Sequence, residues 1–391
     1  MTVWRDDPDA PMLLAGRRTA VGTSGHALAG VDVIGLTAPV LAAVAGDVAA
    51  LQLPIDDVVI GNCLGPGGDI ARVSALAAGL GDEVPGVTVD RQCGSGLDAV
   101  LQAASRVRAR DAELVLAGGA ESASTAPWRC WPPSVAGAQP TRYTRAPFAP
   151  PGRPDPDMGE AADALAVKLG ISRTEQDRYA ARSHRLTHAA ATAGHYTAEI
   201  VALPELSTDQ RPRPGMTAER LARLRPAFGP DGTATAGNSC GVSDGAAALA
   251  VTTQRAARAA GLPCLRILGA AVVAGAPDLP GLAPAAAVRR LLARPGLGVA
   301  VRDIDAVEIT EAFASVVLAV IDELGIDEDR VCAEGGAIGL GHPWGASGAI
   351  LLLRLMSRLL RPVGAGTGLG LAACAIGGGQ GLAMLLAHPE A

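Results

Sequence analysis

Between Asp57 and about Ala120 the chain alternates short apolar runs with longer segments of helical period: DVVIGNC, ARVSALAAGL, GVTVD, GLDAVLQAASRVRAR and ELVLAGGAE. This alternation predicts βαβαβ units, and hence a mostly parallel sheet covered by helices. From Ser122 to about Gly237 Pro, Arg and other charged residues take over, and the clearest periodic segment is SRTEQDRYAARSHRLTHAAATAG. That change predicts an inserted, mainly helical region. After Asp244 the first rhythm returns: ALAVTT, LRILGAAVV, a helix around PAAAVRRLLARPG, the strand DAVEIT and the helix EAFASVVLAVIDELG. A helix from Ala346 to Leu360 and a closing pair, GLGLAACAIGG and GLAMLLAH, complete it. The two ends share a rhythm without a clear sequence repeat, so a duplicated core with one long excursion is the simplest topology. The expected division is 1–120 for the N-terminal half, with part of 241–268 returning to it, 121–240 for the insertion and 269–391 for the C-terminal half.

A length of 391 residues fits two to three domains at about 150 residues each. Lys and Arg number 33 against 39 Asp and Glu, a formal charge of -6 with no basic block, which argues against a nucleic-acid partner. The run Ala349 to Leu360 is broken by Arg354 and Arg358 and falls short of the roughly 20 residues that span a bilayer. It reads as a packed helix, so no membrane association is expected. The N-terminal MTVWRDDPDA is acidic where a leader would be basic and then apolar. Cys63, Cys93, Cys130, Cys240, Cys264, Cys332 and Cys374 form an odd set with no CxxC pair, which predicts free thiols in the cytoplasm.

Among these thiols Cys93 has a distinctive context. GVTVD reads as a strand, RQCGSG as a sharp turn and LDAVLQAASRVRAR as a helix. A thiol near a helix N-terminus meets unpaired N–H groups and the positive end of the dipole, which predicts a lowered pKa and a nucleophile. The plainer reading is a small buried hydrophobe. His342 lies in GGAIGLGHPWGASG, a glycine-rich turn ahead of a helix, where a histidine can act as base to a thiol or donor to an oxyanion; a satisfied loop histidine is the alternative. His184 and His188 are spaced for one helical face, but no third ligand accompanies them, so solvated helix surface is expected and no metal site. The run Gly377, Gly378, Gly379 and Gly381 follows a strand and precedes another apolar run, which suits a tight turn better than a dinucleotide fingerprint.

VDRQCGSGLDAV, GGAESAS, LRPAFGPDGTATAGNSCGVSDGAAAL, TEAFA, GGAIGLGHPWGASGA and AIGGGQG together resemble the successive signatures of the thiolases, the acyl-CoA C-acyltransferases. With MGEAADALAVKLGISRTEQDRYAARSH they cover nearly the whole chain in the family's order. The resemblance implies an α/β thiolase fold: duplicated five-stranded mixed sheets with helices in layers, plus an inserted, mainly helical loop domain that holds coenzyme A. It implies a homodimer or homotetramer, acyl-CoA as substrate and no permanently bound cofactor. By the same resemblance Cys93 takes the acyl group as a thioester, activated by His342, and a second cysteine directly before IGGG moves the α-proton. One oxyanion hole would use His342 and a water held by an Asn, the other the backbone N–H groups of Cys93 and Gly377. Coenzyme A contacts would fall on Met158, Phe228, Ala236, Gly237, Cys240 and Phe313.

The chain departs from that pattern at several positions. Ala375 directly precedes Ile376, and the nearby thiol, Cys374, comes one residue earlier. Adjacent strand residues face opposite ways, so Cys374 reaches the site only through a bulge. Thr310 stands at the Asn position, Cys240 at a serine position and Asp157 where many members have His. The leading expectation is thiolysis of 3-ketoacyl-CoA and its reverse Claisen condensation. An enzyme lacking the second cysteine could instead transfer the acyl group to a heteroatom nucleophile or condense by decarboxylation. A non-catalytic acyl-CoA-binding or scaffold subunit is the remaining alternative.

Overall fold

The most deeply apolar segments of the chain become the central strands of a sheet. LVLAGGAES (β4, Leu114–Ser122) and SDGAAALAVTT (β5, Ser243–Thr253) are buried along their whole length, as strands covered on both faces must be. The computed structural model describes residues 7–361 and 367–389. The acidic N-terminal stretch therefore lies largely outside the described residues.

The N-terminal half contributes β1 (Pro11–Thr19), β2 (Asp57–Gly61), β3 (Gly86–Val89), β4 and β5, with helices α1 (Val33–Asp47), α2 (Ile70–Ala77) and α3 (Ser95–Ala109). The C-terminal half contributes β6 (Cys264–Ala274), β7 (Ala306–Ile309), β8 (Leu369–Ile376) and β9 (Gln380–Ala387). Between them run α6 (Ala283–Leu292), α7 (Ala314–Leu324) and α8 (Trp344–Leu359). The strand order is β7-β8-β9-β6-β1-β5-β4-β2-β3. Val331 adds an isolated parallel bridge beside Val307, at the place β3 takes beside β2. Each half thus repeats one order, the third strand of the other half being reduced to that bridge. The halves join into one continuous sheet through the antiparallel pair β1 and β6, with Leu13 opposite Leu265.

Three apolar clusters set the layers. Helices α1 and α2 cover one face of the N-terminal strands, with Val40 and Ile70 against Val58 and Leu116. Helices α6 and α7 cover the corresponding face of the C-terminal strands, with Val288 and Val317 against Val307 and Leu385. The remaining faces of both halves close on α3 and α8, with Leu97, Val100, Leu352 and Leu355 in one core with Leu249 and Met384. The order is helix, sheet, helix, sheet, helix. Glycines let α3 and α8 approach to backbone contact: a Cβ on Gly96 would lie 2.6 Å from the Gly345 carbonyl oxygen.

Between β4 and β5 the chain makes its excursion. It includes a short hairpin, Arg129–Trp131 with Thr141–Tyr143, and helices α4 (Met158–Leu169) and α5 (Arg173–Thr192). Helix α5 starts where Ser172 and Glu175 cap each other's backbone N–H groups, a pairing that satisfies donors otherwise orphaned at a helix start. Leu165 of α4 packs on Val316 and Ala319 of α7, fixing the excursion against the C-terminal half.

Candidate active site

Cys93 occupies the turn between β3 and α3. Gln92 adopts a left-handed φ of 47°, which reverses the chain in a single step. Ser95 fastens the turn: its hydroxyl donates to the Gln92 carbonyl at 2.7 Å and accepts from the Arg91 N–H at 2.8 Å. His342 occupies the matching place ahead of α8. Its N–H is held by the Gly241 carbonyl at 3.0 Å and the Ser243 hydroxyl at 3.1 Å. The close crossing of α3 and α8 sets the two helix starts side by side.

Hydrogen bonding decides the form of His342. Ser347 Oγ lies 2.9 Å from the Pro343 carbonyl, which only accepts, so the single hydroxyl proton goes there. Ser347 then accepts from His342 Nδ1–H at 2.6 Å, and Nε2 keeps its lone pair. Nε2 is buried and has no hydrogen-bond partner among the described residues. Burial pushes the imidazole down to about 4, so it is neutral at pH 7.

The expected lowering of the Cys93 pKa is not found. The thiol is half-buried, and loss of water pushes it well above its usual range, with Cys374 and Cys240 adding to the effect and its own backbone N–H opposing it. The resting pair is therefore a neutral thiol and a neutral imidazole. Such a pair reacts by general-base catalysis, the proton leaving sulfur as the new bond forms.

Cys374 and Ala375 face opposite ways. Strands β8 and β9 pair without a bulge, Cys374 opposite Leu382 and Ala375 opposite Gly381. Cys374 is fully buried in the core around α3 and α8, and its thiol donates to the Cys93 carbonyl at 3.2 Å. Burial pushes that thiol up to about 12. Ala375 is partly exposed and packs, as Phe313 and Leu282 do, against the cluster of Leu165, Val316 and Ala319.

Of the positions tied by resemblance to coenzyme A, Phe313 packs against the same cluster as Ala375. Phe228 and Phe313 meet edge to face, ring centroids 5.6 Å apart, and Phe228 lies over Gly159, next to Met158. Cys240 N–H donates to the Ala312 carbonyl at 2.9 Å, and Ser239 bridges to Phe313. Ala236 is exposed and Gly237 buried in the same segment. Gly377 opens the turn after β8, buried beneath Phe148, whose ring lies 2.6 Å from where a Cβ would stand. Thr310 lies instead on the Cys374 side. Its hydroxyl favours the Cys374 thiolate without the alignment of a hydrogen bond, and it shares with Ser347 a small cavity large enough for one water.

His184 departs from the sequence expectation of solvated helix surface. It is buried, its Nε2 sits 3.1 Å from the Gly237 carbonyl, and burial lowers its pKa. No group of three or more potential metal-ligating side chains occurs among the described residues. No described helix is long and apolar enough to cross a membrane.

Several buried groups at the site carried no role in the sequence reading. Glu121, at the end of β4, accepts from Asn62 Nδ2, the Cys63 and Leu64 N–H groups, and the Gly345 N–H. It clamps the start of α8 to the N-terminal half, and burial lifts its pKa to about 7. Glu311 accepts from Tyr179, Ser183 and the Ile338 N–H, pinning the Thr310 to Phe313 segment to α5. Both lie inside recognisable motifs, GGAESAS and TEAFA, which was the available signal.

Comparison with known proteins agrees with this architecture. Residues 12–255 match the thiolase N-terminal domain and residues 262–388 the thiolase C-terminal domain. The chain is 39% identical to the beta-ketoadipyl-CoA thiolase of Pseudomonas putida, with 94% of this chain and 97% of that protein covered. It is also 39% identical to the acetyl-CoA acetyltransferase of Escherichia coli, covering 96% and 98%. The crystal structure of the Bacillus anthracis acetyl-CoA acetyltransferase superposes with a TM-score of 0.88 at 34% identity, covering 97% of this chain and 98% of that one. A duplicated fold that places a turn cysteine and a buried histidine ahead of two crossing helices thus has named counterparts along its whole length: the chain belongs to the thiolase family, and it is a thiolase-type acyltransferase.

Proposed function

We propose that the enzyme cleaves 3-ketoacyl-CoA through an acyl thioester on Cys93, with His342 as its proton carrier. Nε2 of His342 takes the thiol proton as sulfur attacks the 3-keto carbonyl. The bond between that carbon and the α-carbon breaks, and its electron pair passes to the departing acetyl-CoA enolate. The imidazolium returns its proton to the α-carbon, free coenzyme A then takes the acyl group, and the Cys93 thiol is restored.

The observation that carries this reading is the Ala375 methyl on the Phe313 side, where the resemblance implies a second thiol. An imidazole pushed down to about 4 is a weak base toward an α-C–H but, once protonated, a strong acid toward an enolate. The same imidazole carries that proton in cleavage and, by microscopic reversibility, in condensation. A purely scaffolding role does not fit a histidine whose Nε2 is kept buried and unpartnered.

Acyl-CoA is the substrate in this reading, and thiol and imidazole supply the chemistry without a permanent cofactor. The enzyme works in the cytoplasm as a homodimer or homotetramer. Trp128 and Trp131, 76% and 51% exposed beside or on the hairpin of the excursion, support a surface covered by another copy. The test of the thioester is intact mass after incubation with acetyl-CoA or acetoacetyl-CoA. An acetyl adduct absent from Cys93→Ser is expected; no adduct from several acyl-CoAs would overturn the reading.

A further inference from the structure

Arg211 is nine-tenths buried, and no carboxylate or other hydrogen-bond partner is found for it among the described residues. The two residues that precede it are tightly anchored. Asp209 pairs with Arg18 and accepts from the Val21 N–H, and Gln210 N–H donates to the Val21 carbonyl. The Arg211 side chain runs from this anchor past two glycines. A Cβ on Gly241 would collide with Arg211 Nη1, and one on Gly341 would stand 3.1 Å from Arg211 Cδ. Gly241 follows Cys240 and supplies the carbonyl that holds His342 N–H, while Gly341 immediately precedes His342. The guanidinium therefore lies against the backbone of the segment that carries Cys240, and the aliphatic stem against the glycine that precedes His342.

The charges around it do not compensate it. Arg213 acts on it as a like charge, and the buried His184 feels Arg211 as a further cation. A guanidinium cannot shed its proton to escape burial, so an unpaired one calls for an anion from outside the chain. A planar fork of donors suits a carboxylate.

We infer that Arg211 recognises a carboxylate on the acyl part of the thioester substrate, so that the preferred substrates are dicarboxylic acyl-CoA derivatives. The carboxylate is preferred to a coenzyme A phosphate because the guanidinium lies at Gly241, whose carbonyl holds the His342 N–H, whereas the pantetheine arm keeps the phosphates away from the reacting thioester. This deepens the proposed function by naming a substrate class for the same site, and it rests on that reading for the site's location.

The test uses equilibrium binding to full-length Cys93→Ala protein, so that no acylation intervenes. Succinyl- and glutaryl-CoA are compared with butyryl- and valeryl-CoA and with free coenzyme A, with Arg211 intact and as Arg211→Gln. The charged thioesters are expected to bind at least about tenfold more tightly than their uncharged counterparts, the worth of a charge-assisted hydrogen bond. Arg211→Gln should erase that preference and leave butyryl-CoA binding unchanged. Arg211→Lys, which keeps the charge, should retain part of it and guards against a Gln variant that fails to fold. Equal binding of charged and uncharged thioesters with Arg211 intact would overturn the inference. So would an Arg211→Gln variant that weakens free coenzyme A as much as succinyl-CoA, since the guanidinium would then be reading the nucleotide phosphates. A charge preference in binding without any Cys93 adduct in the wild type would instead overturn the thioester reading and leave this inference standing.

Discussion

The two halves of the molecule follow one strand order and put their chemistry at one place in it. In the N-terminal half the helix that follows the third strand begins at Ser95, with Cys93 just ahead; in the C-terminal half it begins at Trp344, with His342 just ahead. The difference lies in the environment of each residue. The Cys93 turn is left half-open, as a nucleophile that must meet a substrate requires, whereas His342 is sealed and tied to Ser347. A second difference follows the fourth strand. The N-terminal half departs into the excursion that brings Met158 and Phe228, while the C-terminal half turns straight back through Gly377, Gly378 and Gly379. In the proposed mechanism one half therefore supplies nucleophile and walls, the other proton carrier and floor.

Removing the base strikes this division hardest. His342→Asn should slow acylation of Cys93 by about 10²- to 10⁴-fold in single-turnover release of coenzyme A. In the wild type, acylation should stay level from pH 8 down to about 5 and fall only towards 4, because the imidazole is held at about 4. A midpoint near the ordinary 6.5 would show that the histidine is not sealed. The sign for stability follows from the same lowering. Between those two values the unfolded chain binds a proton that the folded chain does not, so this group's contribution is lost as pH falls from 6.5 towards 4.

The crossing of the equivalent helices can be broken directly. Gly96→Ala would set a methyl 2.6 Å from the Gly345 carbonyl oxygen, a contact the backbone must move to relieve. About 1 to 3 kcal/mol of stability should be lost, read as a lower denaturation midpoint, with a parallel drop in acylation. Ser347→Ala is the mildest change. It frees the His342 tautomer and should lower the acylation rate about 2- to 10-fold, with Ser347→Thr restoring most of it and the pH profile shifting in the alanine variant.

Much of this was legible along the chain, and the parts that were not have physical reasons. The rhythm from Asp57 onward marks strands and helices because their partners lie nearby and share one apolar period. Strand β1 carries two arginines in GRRT and is made a strand by β5 and β6 from far down the chain, which no local pattern reveals. The turn around Cys93 was readable, but the pKa of its thiol was not, because desolvation by burial outweighs the thiol's own backbone N–H. The orientation of Cys374 could be argued from strand alternation, and it needed the unbroken pairing of β8 with β9 to be decided. Arg211 was invisible as a functional residue, and Glu121 was marked only by its motif, since what singles them out is burial and the presence or lack of partners.

In the proposed mechanism Ala375, and not Cys374, faces the reacting substrate, and acetoacetyl-CoA cleavage by coenzyme A tests this most directly. Wild type, Cys374→Ala and Ala375→Cys are to be compared in both directions. Cys374→Ala should retain the wild-type cleavage rate within a small factor, and Ala375→Cys should raise cleavage and condensation alike, by about 10²-fold or more, as a second thiol enters the site. Wild-type activity that disappears in Cys374→Ala, with no gain in Ala375→Cys, would contradict the account.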